Sequence, residues 1–256
     1  MTTSPIRRRT ALLSAALLTG TCAASLTLAA PARAEAVCLV NGLPPVIIGN
    51  VINGTPGNDV ITCAGLPLDY TVNGLGGNDT IRVLELLSNG TVDGGDGDDT
   101  ITVGNPLGAT SGVLRGGPGD DTVTVIGHLD GISISGAARV EGNAGDDTLT
   151  AGVVTRGGFL LGGDGNDALT ADTVGDSAGI SSAVNGEAGD DTIRVRQLNA
   201  TQLHGGSGND LVKSSLPDIL GNPTPVTVTN GGFVHGDGGS DTCTTAPASA
   251  NNCEQH

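Results

Sequence analysis

The chain has 256 residues, and 27 acidic against 11 basic residues give a formal net charge of −16, which excludes unaided binding to nucleic acid or an anionic membrane surface. One Tyr, two Phe and no Trp are too few for an ordinary globular core, where large rings supply much of the buried area. Intrinsic disorder is also disfavoured, because Val, Ile and Leu recur along the whole sequence.

Residues 1–34 have the pattern of a secretory signal peptide. Arg7, Arg8 and Arg9 precede an apolar run from Ala11 to Ala30, and Ala32-Arg33-Ala34 has the form of a signal peptidase site. We expect cleavage before Glu35 and secretion to the cell exterior, by either the general or the twin-arginine route. A retained membrane anchor is the alternative, but no stop-transfer pattern follows. The remaining chain would carry seven basic and 27 acidic residues, a net charge of −20, so its natural partner is a cation.

A six-residue motif recurs nine times between Gly54 and Asp241. Its first and fourth places are always Gly, its sixth is always Asp, and its fifth is Asn, Asp or, once, Ser240. The sixth-place residues are Asp59, Asp79, Asp99, Asp121, Asp147, Asp167, Asp191, Asp210 and Asp241. The fourth-place residues are Gly57, Gly77, Gly97, Gly119, Gly145, Gly165, Gly189, Gly208 and Gly239.

Apolar residues flank every motif with a period of two. An aliphatic residue stands two places before the first Gly, and another stands two places after the Asp, except that Cys243 takes this position in the last copy. Such alternation is typical of short strands with one buried face. Each repeat is therefore predicted as strand, turn and strand. Because one repeat cannot bury its own apolar face, the repeats must stack into a parallel solenoid with a thin aliphatic core.

These motifs resemble the repeats-in-toxin (RTX), or hemolysin-type, calcium-binding nonapeptide GGxGxDxUx, from Ile52 to Thr245. The resemblance implies an all-β parallel β-roll, or right-handed β-helix solenoid, that holds Ca²⁺ between stacked turns. The implied ligands are the sixth-place Asp side chains and backbone carbonyls of the Gly-rich turns, including the fourth-place Gly. Oxygen ligands suit this hard ion, which takes six to eight of them.

The spacing of the motifs departs from that of the family. The family's nonapeptides run back to back, whereas most motifs here are 19 to 26 residues apart. We therefore expect one calcium-binding turn per coil, along one edge of the solenoid. The fifth-place side chains are expected to support the turn rather than bind the ion, because neutral Asn often replaces Asp there.

The step from Asp210 to Asp241 is longer, at 31 residues. Three prolines predict a surface loop over Leu216 to Pro225, with Val226 to Val234 rejoining the roll. The last two calcium turns would then stack in register. Residues 35–51 and 246–256 are predicted as end caps around the repeats of 52–245.

Four cysteines lie near the ends of the predicted mature chain, and they permit three disulfide connectivities. We predict Cys38 with Cys63 and Cys243 with Cys253, because the end coils of a solenoid need covers. Zinc binding is the alternative, but the sequence has no CxxC pair.

No catalytic residues are predicted. Gly175 to Gly179 fits the GxSxG pattern, but that nucleophile elbow needs a strand-to-helix turn, and the sequence shows no helical period after the leader. His204 and His235 each precede the first Gly of a motif, so they can stack as surface neighbours, and such a pair is more often incidental than a metal site.

The sequence thus predicts a secreted, non-enzymatic calcium-binding protein with a structural or adhesive role. Its expected partners are calcium ions and a cell-surface or matrix polysaccharide or protein, without nucleic-acid binding and without membrane insertion after cleavage. The alternative is an extracellular protein that binds or modifies polysaccharide. An outward cluster of Asp, Arg, His and aromatic side chains on one strand face would favour that alternative.

Overall fold

Each repeat forms two short strands joined by its Gly-Asp turn in the computed structural model of the protein. The structure describes residues 37–67, 69–84, 89–104, 112–130, 138–175, 182–214, 225–247 and 251–253. The predicted signal peptide, residues 176–179 of the GxSxG segment and most of the predicted loop before Val226 lie outside these residues. No helix in the described part of the chain is long and apolar enough to cross a membrane.

Within the described residues the strands form two sheets, numbered together in chain order. The first sheet contains β1 (Val37–Val40), β3 (Val60–Gly65), β5 (Thr80–Val83), β7 (Thr100–Val103), β9 (Thr122–Asp130), β11 (Thr148–Thr155), β13 (Ala168–Gly175), β15 (Thr192–Asn199), β17 (Leu211–Lys213), β18 (Val226–Thr229), β20 (Thr242–Cys243) and β21 (Thr245–Ala246). The second contains β2 (Val51–Asn53), β4 (Thr71–Gly76), β6 (Thr91–Asp96), β8 (Val113–Pro118), β10 (Arg139–Ala144), β12 (Phe159–Asp164), β14 (Ala183–Ala188), β16 (Gln202–Ser207) and β19 (Phe233–Gly238).

Successive coils pair in parallel with matching register. In the second sheet Val72 lies opposite Val92, and in the first sheet Ile81 lies opposite Ile101, so equivalent positions of neighbouring repeats face each other. The chain passes from a strand of the second sheet through the Gly-Asp turn into a strand of the first. The predicted parallel β-roll with one such turn per coil is confirmed.

The core is the aliphatic column that the period-two pattern predicted. Side chains two places before each first Gly are buried: Ile52, Val72, Val92, Leu114, Val140, Leu160, Val184, Leu203 and Val234. Those two places after each sixth-place Asp are buried as well: Ile61, Ile81, Ile101, Val123, Leu149, Leu169, Ile193, Val212 and Cys243. Stacking of aliphatic side chains in two columns therefore replaces the aromatic packing that the composition excludes.

Disulfides lie at both ends of the stack, with the predicted connectivity. The strand β1 runs antiparallel to β3, and Cys38 lies opposite Cys63, to which it is bonded. Cys243 in β20 is bonded to Cys253. Both end coils are thus tied to segments outside the repeats.

The last two turns stack directly, as predicted. Gln202 to Ser207 pair in register with Phe233 to Gly238, and β18 joins the first sheet by pairing with β15. No coil intervenes between the turns that end at Asp210 and Asp241, although the step in sequence is the longest in the chain.

Candidate metal centre

The sixth-place aspartates form a buried column along one edge of the stack. Each follows a tight turn and immediately precedes a strand of the first sheet, and the nine side chains are only 1% to 3% exposed. In the first eight turns, the backbone N–H of the aspartate donates to Oδ1 of the aspartate in the following coil, over 2.7 to 2.9 Å. One carboxylate oxygen per turn is therefore used to hold neighbouring coils together.

The second oxygen of these carboxylates is left without a hydrogen-bond partner in seven turns. These atoms are Oδ2 of Asp79, Asp99, Asp121, Asp147, Asp167, Asp191 and Asp210, and all are buried. Buried polar atoms are normally hydrogen-bonded, because an unpaired one loses its interaction with water without compensation. Seven equivalent exceptions in one column indicate that the column binds a ligand.

The first-place glycines form the wall of this column. A Cβ atom on Gly74 or on Gly142 would collide both with Oδ2 of the aspartate in its own turn and with the carbonyl oxygen of the next first-place Gly. Any other residue would therefore displace the carboxylate. The same geometry brings an aspartate oxygen and a carbonyl oxygen of the following coil close to one point.

The fourth-place glycines add carbonyl oxygens that point toward the following coil. A Cβ atom on Gly119 would collide with the carbonyl oxygen of Gly97, and the same relation holds from Gly97 through Gly239. The backbone at Gly119 and Gly145 has φ of 138° and 133°, a region that favours glycine. Gly57 differs, because it has neither a positive φ nor a close neighbour.

Burial makes the carboxylates of the interior turns hard to ionise without a cation. It raises the pKa of Asp121, Asp147 and Asp191 to about 7, and repulsion from neighbouring carboxylates adds to this effect against the opposing hydrogen bond from the preceding backbone. Burial is also the main cause that raises the pKa values of Asp99, Asp167 and Asp210 to about 6. A cation between the turns would remove this penalty.

The fifth-place side chains form a second column, in which the hydrogen bonds run in the opposite direction along the stack from those of the sixth-place aspartates. From the second motif onward, the backbone N–H at the fifth place donates to Oδ1 of the Asn or Asp in the preceding coil, for example Asp146 to Asp120 over 2.9 Å and Asn166 to Asp146 over 2.7 Å. The remaining bonds of this column follow the same pattern. Asn and Asp both supply this acceptor, which agrees with the prediction that these residues support the turn.

In the first turn, protein groups donate hydrogen bonds to both carboxylate oxygens of the sixth-place aspartate. Asn41 donates from Nδ2 to Oδ1 of Asp59 over 2.5 Å, and the Thr55 backbone N–H donates to Oδ2 over 2.5 Å. Burial raises the pKa of Asp59, but these hydrogen bonds outweigh it and leave the pKa below its usual value. Asp59, predicted as a metal ligand, therefore has both oxygens engaged within the protein.

In the last coil, a side chain outside the repeats accepts a hydrogen bond from the backbone of the turn. The backbone N–H of Gly236, which has no following coil, donates to Oδ1 of Asn252 over 3.2 Å, and Asn252 N–H donates to the carbonyl of Val234 over 3.1 Å. The sequence reasoning missed Asn41 and Asn252, since each occurs once and outside the repeats. It also left the first-place Gly out of the site, although its identity in all nine copies was a usable signal.

The donor set fits a hard cation. The oxygen atoms that the structure places along these turns are the unpartnered aspartate Oδ2 atoms and the first- and fourth-place carbonyls. Three sixth-place carboxylates nowhere come together on one point in this part of the chain. One carboxylate with several carbonyls is a ligand set that suits Ca²⁺.

Together these features define a parallel β-solenoid with a column of oxygen-lined turns. The sequence model of the RTX calcium-binding nonapeptide repeat (4 copies) matches residues 49–62, 88–105 and 134–153. The chain thus contains RTX calcium-binding repeats. No curated protein and no solved structure matches it at a significant level.

Proposed function

We propose that this is a secreted protein whose interior turns bind several calcium ions and that it serves as a structural or adhesive element outside the cell. The proposal rests chiefly on the seven buried, unpartnered aspartate oxygens in one column. Two disulfides and the signal-peptide pattern favour an oxidising, extracellular setting. Extracellular calcium modules have dissociation constants on the order of 10⁻⁴ to 10⁻³ M, and we expect this range here.

A non-enzymatic role is part of the proposal. An α/β-hydrolase elbow places its serine between a strand and a helix, and the residues that the structure describes form strands and no helix. A stack of equivalent calcium sites instead supplies rigidity, because each ion would link two neighbouring coils and nearest-neighbour coupling would spread that stability along the solenoid.

A calcium titration of residues 35–256, followed by circular dichroism, tests the proposal. We expect strand signal to grow cooperatively with calcium, and Asp147→Asn to raise the calcium midpoint several-fold. Asn at 147 keeps the Oδ1 acceptor for the Asp121 N–H but replaces the charged Oδ2 with a neutral amide group. It should also stabilise the calcium-free fold by removing one buried charge.

Asp146→Asn is the matched control. It removes the same charge one residue earlier, at the fifth place, where Oδ1 already accepts the Asn166 N–H and an amide can do the same. Its calcium midpoint should stay close to that of the unaltered protein. Equal midpoint shifts for the two variants, or a spectrum that calcium does not change, would refute the assignment.

A second candidate function, polysaccharide binding or modification, is favoured by a groove on the outward face of the second sheet. The groove has a volume of about 510 Å³, and its lining includes Glu141, Asp164 and Glu187. Arg115 Nε lies 3.0 Å from Glu141 Oε2, and the Arg139 guanidinium lies 5.1 Å from the centre of the Phe159 ring. This is the kind of outward cluster that we expected of such a protein.

The two glutamates of the groove have different electrostatic environments. Burial, followed by repulsion from Glu141 and Asp164, raises the pKa of Glu187, whereas Glu141 is paired with arginine. Co-sedimentation with a panel of polysaccharides, with and without calcium, tests this candidate. Binding that Glu187→Gln weakens and Asp146→Asn does not would support it, and an absence of binding to every polysaccharide in calcium would reject it.

A further inference from the structure

Two histidines and one aspartate come together at the C-terminal end of the second sheet. His204 in β16 and His235 in β19 lie opposite each other in register, with ring centroids 4.6 Å apart and planes within 5°. Asp237, two residues beyond His235, places Oδ2 at 2.8 Å from His204 Nδ1. The expected stacking of the two histidines is confirmed, whereas the aspartate was not anticipated from the sequence.

One nitrogen of this cluster has no partner. Nε2 of His235 is buried and makes no hydrogen bond, while Phe233 packs against the same ring at 4.8 Å between centroids. A buried imidazole nitrogen without a partner loses its hydration without compensation. It is therefore a second sign, independent of the grouping of side chains, that the cluster lacks a ligand.

The ligand chemistry differs from that of the calcium turns. Imidazole nitrogens suit late first-row divalent ions, whereas Ca²⁺ takes oxygen ligands. One ligand atom from each of His204, His235 and Asp237 lies within 4.8 Å of the others. A tetrahedral Zn²⁺ holds its ligand atoms about 3.3 Å apart. To close the site, the two imidazole rings would turn out of their parallel stack so that one nitrogen of each faces the ion, with water in the fourth position.

We propose that His204, His235 and Asp237 form a site for a late first-row divalent ion, Zn²⁺ being the ion to test, that joins the last coil to the rest of the stack. In the described residues, the last coil meets its neighbour in the first sheet through four residue pairs, two between β17 and β20 and two between β18 and β21, whereas β13 and β15 pair through seven. An ion held between β16 and β19 would strengthen the same junction on the second sheet.

The experiment is a zinc titration of residues 35–256 by calorimetry in saturating calcium, so that the calcium turns are already occupied. We expect one Zn²⁺ per chain. The double variant His204→Gln, His235→Gln should bind it at least about tenfold more weakly, since both nitrogen ligands are removed. His128→Gln is the matched control, because it changes a histidine on β9, remote in sequence from the cluster, and should leave the affinity unchanged.

A labelling experiment on the unaltered protein keeps the proposal testable if the double variant does not fold. Diethyl pyrocarbonate modifies free imidazole nitrogens, and mass spectrometry locates the modified residues. Zinc in excess calcium should protect His204 and His235 but not His128. Equal modification with and without zinc, unchanged zinc affinity in the folded double variant, or no zinc binding by the unaltered protein would each overturn the proposal.

Discussion

The first turn of the stack and the interior turns share one motif but differ in what satisfies their aspartate. Asp59 receives hydrogen bonds on both carboxylate oxygens, from Asn41 and Thr55, and its pKa is lowered. Asp147 receives one, from the Asp121 backbone, and its pKa is raised to about 7, first of all by burial. Identical residues thus have different chemistry, because the first aspartate has a protein partner where the interior ones have none.

This difference in hydrogen bonding indicates that the interior turns, rather than the first turn, require a metal ion. Nine turns in register leave eight gaps, but only seven aspartates carry an Oδ2 that is both buried and unpartnered. We therefore expect about seven strong calcium sites and a first coil that the disulfide Cys38–Cys63 and Asn41 hold without an ion. The end coil would then serve as the template on which the others stack.

Calcium removal should give the largest effect and should distinguish the two regions directly. In excess chelator at pH 8, amides of the interior turns, such as Asp121 and Asp147, should lose most of their protection against hydrogen exchange. The Val60 amide, which donates to Asn41 Oδ1 over 2.9 Å, should lose the least. Hydrogen exchange followed by mass spectrometry, with and without calcium, measures this gradient.

Magnesium at the same concentration is the control for ionic strength, because it prefers near-ideal octahedral geometry with several waters. It should restore little of the protection. A uniform loss over all coils in chelator would contradict the distinction between end and interior turns.

The pH dependence of the calcium-free protein should follow from the raised pKa values. Between the ordinary pKa of 3.8 and the raised values of about 6 to 7, the folded state holds protons on its interior aspartates that the unfolded state releases. Stability is then highest at low pH and is lost as pH rises through this window. The Tm in chelator should fall from pH 4 to pH 7 and then level off.

Calcium should change this profile, because protons and calcium compete for the same carboxylates. The increase in Tm on adding calcium should be small at pH 5 and large at pH 8. Asp147→Asn, which removes one of the groups whose pKa is raised, should make the fall in chelator less steep. A Tm that rises with pH in chelator would show that the interior aspartates are not held protonated.

The sequence predicted the repetitive part of the molecule well, for a simple reason. Nine copies average out local ambiguity, so that the period-two aliphatics identify the buried columns and the fixed Gly and Asp identify the turn edge. The pairing of Cys38 with Cys63 followed from the same logic, because a stack has ends that need covers. Even the register of Asp241 on Asp210 across the long step could be predicted from alternation in Val226 to Val234.

Two kinds of feature could not be read from the pattern. The opposite directions of the fifth- and sixth-place hydrogen bonds depend on which way each side chain leaves the turn, and neighbouring residues of the same type give no hint of it. Asn41, Asn252 and Asp237 act through three-dimensional contacts that occur once, so repetition cannot reveal them. The unpartnered aspartate oxygens likewise became visible only with coordinates.

The cap of the first turn gives a smaller, calcium-independent prediction. Asn41→Gly removes the donor to the buried Asp59 while it suits the left-handed backbone at this position, where φ is 53°. We expect the free energy of unfolding to fall by about 1.5 to 3 kcal/mol, because the lost bond is to a charged group. Urea unfolding in calcium and in chelator should show the same decrease.

Asn89→Gly is the matched control for this change. Asn89 also has a left-handed backbone, with φ of 62°, and its side chain donates over 3.0 Å to Asp69, but this pair is exposed. Its loss should change stability by no more than about 0.5 kcal/mol. A decrease for Asn41→Gly that disappears in chelator would mean that the first turn depends on calcium after all.

The smallest expected effect on stability comes from comparing the fifth-place residue of an interior motif with that of the last motif. Asn209 accepts the Ser240 N–H on Oδ1 over 3.0 Å, whereas Ser240 belongs to the last motif and has no following turn to support. Asn209→Ser should therefore cost about 0.5 to 1.5 kcal/mol, because the shorter side chain leaves the Ser240 N–H without this acceptor. The reciprocal change Ser240→Asn should stay within about 0.5 kcal/mol, since an acceptor there has no partner. Urea unfolding of both variants in saturating calcium measures the difference, and equal losses would show that the fifth-place column does not support the turns by stacking.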